Sequence, residues 1–259
     1  MEQGEQSAVQ GDVLLSERIG GVLVLTLNRP QARNALNPEL KDRLLRAMRD
    51  ADGDPDVRAV VITGNGPIFC AGMDLKAFAV GAAFGGLTDF YANGIAKPLI
   101  AALNGPALGG GFEVALTCDL IIAPDQAWFA LPEVKRGLFA AGGGTTLASR
   151  IPRAIALEIG LTGEPITASR ALQIGLVNKV VPADQVRPEA LALADRRERA
   201  ARRRAHQEAD AREPVGRRRG DRGRLPRRRR AGGRAGVRRA AAAGLVREVR
   251  KSKAAQPLV

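Results

Sequence analysis

At about Asp195 the chain changes character. Beyond it come Arg, Ala, Gly and little else, with runs at Arg202–Arg204, Arg217–Arg219 and Arg227–Arg230, and no apolar face can be drawn through them. A segment with so little to bury does not offset the entropy of ordering its backbone. Residues 196–259 are therefore expected to form a basic low-complexity tail, disordered or irregularly helical. With the polar, acidic stretch 1–11 set aside as a flexible start, what can fold is 12–195, long enough for one core of ordinary size.

The charge divides at the same place. Residues 1–195 hold 17 Lys and Arg against 21 Asp and Glu, net −4, whereas 196–259 hold 23 against 6, net +17. The overall +13 thus describes the tail and says nothing about the pocket of the body. Without interleaved aromatics or a recognition fold, the arginines imply at most non-specific contact with nucleic acid. No apolar run approaches the ~18–20 residues that span a bilayer, and the N-terminus lacks a signal pattern, so no membrane partner is expected. The two cysteines, Cys70 and Cys118, sit singly in apolar stretches, which excludes a disulfide framework or zinc knuckle and fits a cytoplasmic location.

The chain has one histidine, His206, and it lies in the tail. Ser-His-Asp, Cys-His and His-metal chemistry are thereby closed to the body, and no metal is expected. Acid–base work there falls to carboxylates, Lys, Tyr or Cys.

Strand-like and helix-like patterns alternate in the body, which is α/β order. Strands are expected at Val22–Leu27, Ala59–Thr63, Pro98–Leu103 and Leu120–Ala123, and helices from about Pro38 to Ala51 and Gly110 to Cys118. Asn37 and Pro38 supply a cap and a first turn for the first of these helices, and Leu40, Leu44, Leu45 and Met48 recur at helical spacing. Further on, Glu158 to Ile174 reads as helical, with Gly175 as its stop before strand-like Leu176–Val181.

Three segments carry chemistry. GNGPIFCAGMDLKAF, residues 64–78, leaves a strand, turns through glycines and enters a helix at Asp74. Such glycines let a backbone turn its N–H groups toward a ligand, although alone they read equally as a connection. NGPALGGGFEVALTCDLIIA, residues 104–123, opens a helix with three glycines, concentrating unpaired N–H groups and the positive end of the dipole where a polarised carbonyl oxygen could sit. Glu113 follows in that first turn, among Phe112, Val114, Ala115 and Leu116. Burial there would raise its proton affinity, which suits a proton carrier, while a carboxylate serving the dipole is the plainer alternative. AWFALPEVKRGLFAAGGG, residues 127–144, ends a strand at Pro132 and places Glu133 at the turn, which alone would read as a solvated loop residue. Gly142–Gly144 reads as a tight helix entry.

Together these segments resemble the crotonase (enoyl-CoA hydratase/isomerase) family, whose members share a strand–turn with an (F/A)-x-A-G-x-D pattern, a G-x-x-x-G-G-G-x-E helix entry and a P-E-x-x-x-G element in this order. Asn28-Arg29-Pro30 and Asn34-Ala35-Leu36 resemble the family's opening. The resemblance covers about residues 12–195. It implies a spiral of ββα units and an enoyl-CoA hydratase that converts a 2-enoyl-CoA to a 3-hydroxyacyl-CoA. It further implies Glu113 and Glu133 as the catalytic acids, the backbone N–H groups of Met73 and Gly110 as an oxyanion hole, and Ala71, Met73, Asp74, Leu75, Lys76 and Gly110 as the acyl-CoA site. No cofactor is implied, since coenzyme A belongs to the substrate. Enoyl-CoA isomerisation and carnitinyl-CoA dehydration remain open within the family. An inactive scaffold or nucleic-acid binder remains open outside it.

The tail departs from the family. Its members use that region for helices that cover the acyl pocket and join subunits into a trimer or hexamer, so assembly and activity of this chain are expected to be impaired. A polybasic arm and a reading-frame shift in GC-rich coding DNA both account for the composition. One permitted codon set for residues 205–212, read from its second base, gives His-Thr-Lys-Lys-Leu-Met-Arg, which resembles a helix that family members carry at this position.

Overall fold

The structure, a computed structural model, describes residues 12–81 and 86–196. Two strands, β1 (Leu14–Ile19) and β2 (Val22–Leu27), form an antiparallel hairpin that turns at Gly20, whose φ of 57° suits a residue without Cβ. Helix α1 (Pro38–Gly53) follows, then β3 (Ala59–Gly64), α2 (Leu75–Ala79) and α3 (Leu87–Asn93). Next come β4 (Leu99–Ala102), β5 (Ala107–Leu108), α4 (Gly110–Thr117), β6 (Leu120–Pro124) and β7 (Trp128–Ala130). The remaining named elements are α5 (Leu147–Arg150), α6 (Arg153–Thr162), β8 (Ile166–Thr167), α7 (Ala168–Gln173) and β9 (Lys179–Val181), and a last helix covers 186–196.

These strands make two sheets. The larger runs β1-β2-β3-β4-β6-β9, parallel after the first hairpin, and the smaller runs β5-β7-β8. Twice a strand of the large sheet is followed by one of the small sheet and then by helix: β4, β5, α4 and β6, β7, α5. The fold is thus the mixed α/β, ββα arrangement expected. Its large sheet is buried on both faces, as parallel sheets usually are. One face packs Leu25, Leu27, Val60 and Ile62 against the Leu40, Leu44 and Met48 stripe of α1. The other packs Val24, Val61 and Ile122 against Val186, Ala190 and Ala194 of the last helix.

Helix α1 starts where its cap directs: the Asn37 side chain accepts the Leu40 N–H at 2.9 Å and Pro38 fills the first turn. Leu40 and Leu44 are fully buried, and removing either side chain would cost about 2–5 kcal/mol.

Elsewhere the structure corrects the sequence reading. Strand β1 was not anticipated, because Ser16, Glu17 and Arg18 give an edge strand no apolar signature. The helical reading of 158–174 is interrupted: α6 ends at Gly163, with φ 64°, and Glu164-Pro165 leads into β8 before α7 begins. Of the strand-like run Leu176–Val181 only Lys179–Val181 pairs. Gly175 does end α7, with φ 77°. The expectations for 1–11 and for the tail beyond 196 lie outside the described residues. Among those described, no helix is long and apolar enough to cross a membrane.

Candidate active site

The loop after β3 is fastened on both sides. Asn34, buried with φ 53°, donates to the carbonyl oxygens of Asn65 and Ile68, each at 2.8 Å, and accepts the Arg29 N–H at 2.8 Å. Asparagine tolerates this left-handed backbone better than most residues. Further along, Ala71 N–H donates to Arg33 O, Leu36 N–H to Gly72 O, and Leu108 N–H to Cys70 O. Segment 68–74 is thus held between 33–36 and 106–108. The Asn-Arg-Pro and Asn-Ala-Leu motifs turn out to be its fasteners.

This path brings Gly72 against the start of α4. Its φ is 92°, and a Cβ there would lie 2.9 Å from Leu108 O and 3.2 Å from Gly110 N. Only glycine fits. The next amide, Met73 N, is 3.7 Å from where a Cβ on Gly110 would project. Neither the Met73 nor the Gly110 N–H has an acceptor among the described residues. Two unpaired donors therefore stand side by side at the positive end of α4.

Glu113 lies in the first turn of α4 and is buried. Its Oε1 accepts the N–H groups of Gly142 and Gly144, at 2.9 and 3.0 Å. The run Gly142–Gly144 permits this approach: a Cβ on Gly143 would lie 2.8 Å from Glu113 O. Burial pushes the Glu113 carboxyl above the usual range, and the two N–H bonds only partly oppose it.

Glu133 sits in a 3-10 turn, Pro132–Arg136, that follows β7. Its Oε1 is 2.9 Å from where a Cβ on Gly109 would project, which puts its carboxyl over the entry to α4. Oε2 is buried and has no hydrogen-bond partner among the described residues. A buried acceptor without a donor marks a place for a water or a reactant. Burial raises its proton affinity first and the charge of Glu113 raises it further, against its own backbone N–H and Arg136. The Glu113 charge reaches Glu133 at the entry to α4.

The remaining expected residues divide. Ala71 and Met73 are half-buried, whereas Leu75 and Lys76 are exposed. Asp74 is occupied: it caps α2 by accepting the Lys76 and Ala77 N–H groups, and it pairs with Arg29 at 3.1 Å. Burial pulls its carboxyl upward, but the Arg29 bond and charge and the two N–H bonds prevail and hold it below the usual range. The Cys70 thiol is fully buried and pushed up to about 12, which removes it as a nucleophile. Among the described residues no group of three His, Cys, Asp or Glu is placed to hold a metal ion.

Sequence reasoning missed Tyr91. It is buried, donates its hydroxyl to Gly110 O at 3.2 Å, and is held well above the usual tyrosine range by burial and then by Glu113. Its being the chain's single tyrosine, just ahead of the strand that leads to α4, was the one available signal.

Comparison with known proteins identifies the family. A family model described as enoyl-CoA hydratase/isomerase matches residues 17–213. The chain is 41% identical over 197 residues to the enoyl-CoA hydratase EchA19 of Mycobacterium tuberculosis, covering 71% of this chain and 74% of that one. It is 43% identical over 190 residues to the 2,3-dehydroadipyl-CoA hydratase of Escherichia coli, with the same coverage. Among solved structures it resembles a carnitinyl-CoA hydratase from Mycobacterium avium, with TM-score 0.68, 49% identity, and coverage of 71% of this chain and 74% of that one.

Proposed function

The chain belongs to the enoyl-CoA hydratase/isomerase family and is built as an enzyme of the hydro-lyase type, and from that premise we propose that it catalyses the reversible syn addition of water across the 2,3-double bond of an enoyl-CoA thioester. The observation that carries this reading is the placement of two glutamates, Glu113 and Glu133, at the mouth of a helix whose neighbouring N–H donors, Gly110 and Met73, have no acceptor among the described residues, with burial raising the proton affinity of both acids.

In this scheme the thioester oxygen lies between the Met73 and Gly110 amides. Negative charge grows on that oxygen as C2–C3 is attacked, and each such donor commonly supplies roughly 3–4 kcal/mol at the transition state. A water held by the two carboxyls loses a proton to one of them as its oxygen bonds to C3. The other carboxyl manages the proton that reaches C2. Raised proton affinity suits both tasks, because one group must give a proton at a pH where an ordinary glutamate has none. Ala71 and the segment Met73–Lys76 would line the path of the acyl-CoA, with the exposed Lys76 offering charge to its phosphates. No step requires a metal or an organic cofactor.

Isomerisation of a 3-enoyl-CoA, or dehydration of carnitinyl-CoA, would use the same parts. The likeness to a solved carnitinyl-CoA hydratase is the specific reason to test the second. Purified protein would be assayed on crotonyl-CoA, a 3-enoyl-CoA and carnitinyl-CoA, with Glu113→Gln and Glu133→Gln as controls. Hydration that depends on both carboxyls is the expected result. Hydration that survives both substitutions, in folded protein, sinks the reading.

A further inference from the structure

Behind Tyr91 the surface opens into a crevice of about 280 Å³, walled by Leu99, Leu116, Thr146, Ser149 and Arg150. Tyr91 lines this crevice and also lies beside Glu113. On its other side the ring lies against Gly142, so closely that a Cβ there would come 2.2 Å from Cδ2. That same Cβ position is 3.1 Å from Glu113 Oε1, and the Gly142 N–H is one of the two donors to that oxygen. At its tip the phenol oxygen donates to Gly110 O, the carbonyl one residue-length from the unpaired Gly110 N–H. One side chain thus touches the helix entry, the glycine loop that grips Glu113, and open solvent.

We propose that Tyr91 is a positioning residue for the reaction assigned above, its hydroxyl steadying the Gly110 peptide and its ring screening the Glu113 carboxyl from the water of the crevice. The two functions separate chemically. A fixed Gly110 carbonyl fixes the tilt of the first turn of α4, and with it the aim of an N–H donor that matters only when charge develops on the thioester oxygen. The ring maintains the desolvation that dominates the raised proton affinity of Glu113. Losing the hydroxyl should therefore reduce kcat and leave KM alone. Losing the ring should admit water and lower the pH at which Glu113 titrates.

The test uses the full chain with Tyr91→Phe and Tyr91→Leu, assayed on crotonyl-CoA across pH, with circular dichroism to confirm folding. Tyr91→Phe is expected to lose about tenfold in kcat with KM within about twofold, the pattern of an interaction made only in the transition state. Tyr91→Leu is expected to move to lower pH whichever limb of kcat/KM Glu113 governs, the limb that Glu113→Gln removes. Wild-type kcat in Tyr91→Phe, or an unmoved limb in folded Tyr91→Leu, overturns the proposal. The inference rests on the hydratase reading, and a second measurement distinguishes the two. If the wild-type chain hydrates nothing, the reaction assigned is wrong, yet the placement of Tyr91 is still read from phenolate absorbance, which in this chain belongs to one side chain. Neutralising the neighbour in Glu113→Gln lowers its ionisation midpoint, and an unchanged midpoint overturns the proposal there too.

Discussion

Glu133 Oε1 stands 2.9 Å from the point where a Cβ on Gly109 would project, so the carboxyl reaches the entry of α4 only because residue 109 has no side chain. Gly109 also has φ 51°, a conformation that L side chains rarely adopt. Gly109→Ala should therefore push Glu133 outward and strain the turn that presents the Gly110 amide. The expected result is a fall in kcat on the order of 10²-fold with far-UV circular dichroism unchanged. Steady-state kinetics on crotonyl-CoA checks it, and a variant with wild-type kcat would mean that Glu133 acts from elsewhere.

A partly buried acid costs stability where it ionises. Glu133 has its proton affinity raised in the fold, so the stability it contributes is fully present below the ordinary glutamate value of 4.5 and is lost as pH rises through its folded value. Glu133→Gln stays neutral throughout. Its melting temperature should exceed that of the wild type by roughly 2–4 °C near neutral pH, and the gap should close below the ordinary glutamate range. Activity should fall by about 10²–10⁴-fold in the same variant. Thermal melts at several pH values test the sign, and a gap that widens in acid contradicts it.

Asn34 holds the opposite wall. Its amide satisfies the carbonyls of Asn65 and Ile68, both on the loop that ends at Met73. Asn34→Ala leaves those oxygens short of a donor and places alanine at φ 53°. Buried polar groups left unpaired cost about 1–3 kcal/mol each, so urea denaturation should show a loss of that order with m unchanged. The loop it frees should raise KM for acyl-CoA as well. Stability within about 0.5 kcal/mol of the wild type, the range of an ordinary surface change, would show that the loop is held by its backbone bonds alone.

What the sequence made legible follows from where its signals are local. The α1 stripe, the Asn37 cap and the glycine-opened helix α4 are each written within about ten residues, and each forms as read. Glu113 could be suspected from its apolar surroundings, whereas Glu133 read alone as a loop residue because the helix entry it faces, at Gly109, is distant in sequence. Strand β1 escaped notice because an edge strand alternates too few apolar residues. The break at Gly163 was hidden by apolar residues on both sides that bury against different elements. Tyr91 was invisible for a related reason: its partners, Gly110 and Gly142, are 19 and 51 positions away, and only the three-dimensional path of the two loops brings them to it.

The basic tail supplies the last test. Its arginines come in runs without aromatic residues between them, so any contact with nucleic acid is expected to be with phosphate, without regard to sequence. Binding of that kind releases counterions and weakens steeply as salt rises. The proposed site, Met73, Tyr91, Gly110, Glu113 and Glu133, is assembled from described residues. Deleting residues 197–259 should abolish adhesion to a labelled single-stranded oligonucleotide, measured by fluorescence polarisation at low salt, while the kcat for crotonyl-CoA stays at the value of the full chain. In the full chain the same adhesion should vanish at high salt and show no preference between oligonucleotides of different sequence. Sequencing the coding DNA around codon 196 then tells a translated basic arm from a shifted frame, and a restored frame should encode helix-forming residues where the arginines now stand. If the deletion instead removes hydration together with adhesion, the acids are not sufficient and the tail has a part in the chemistry.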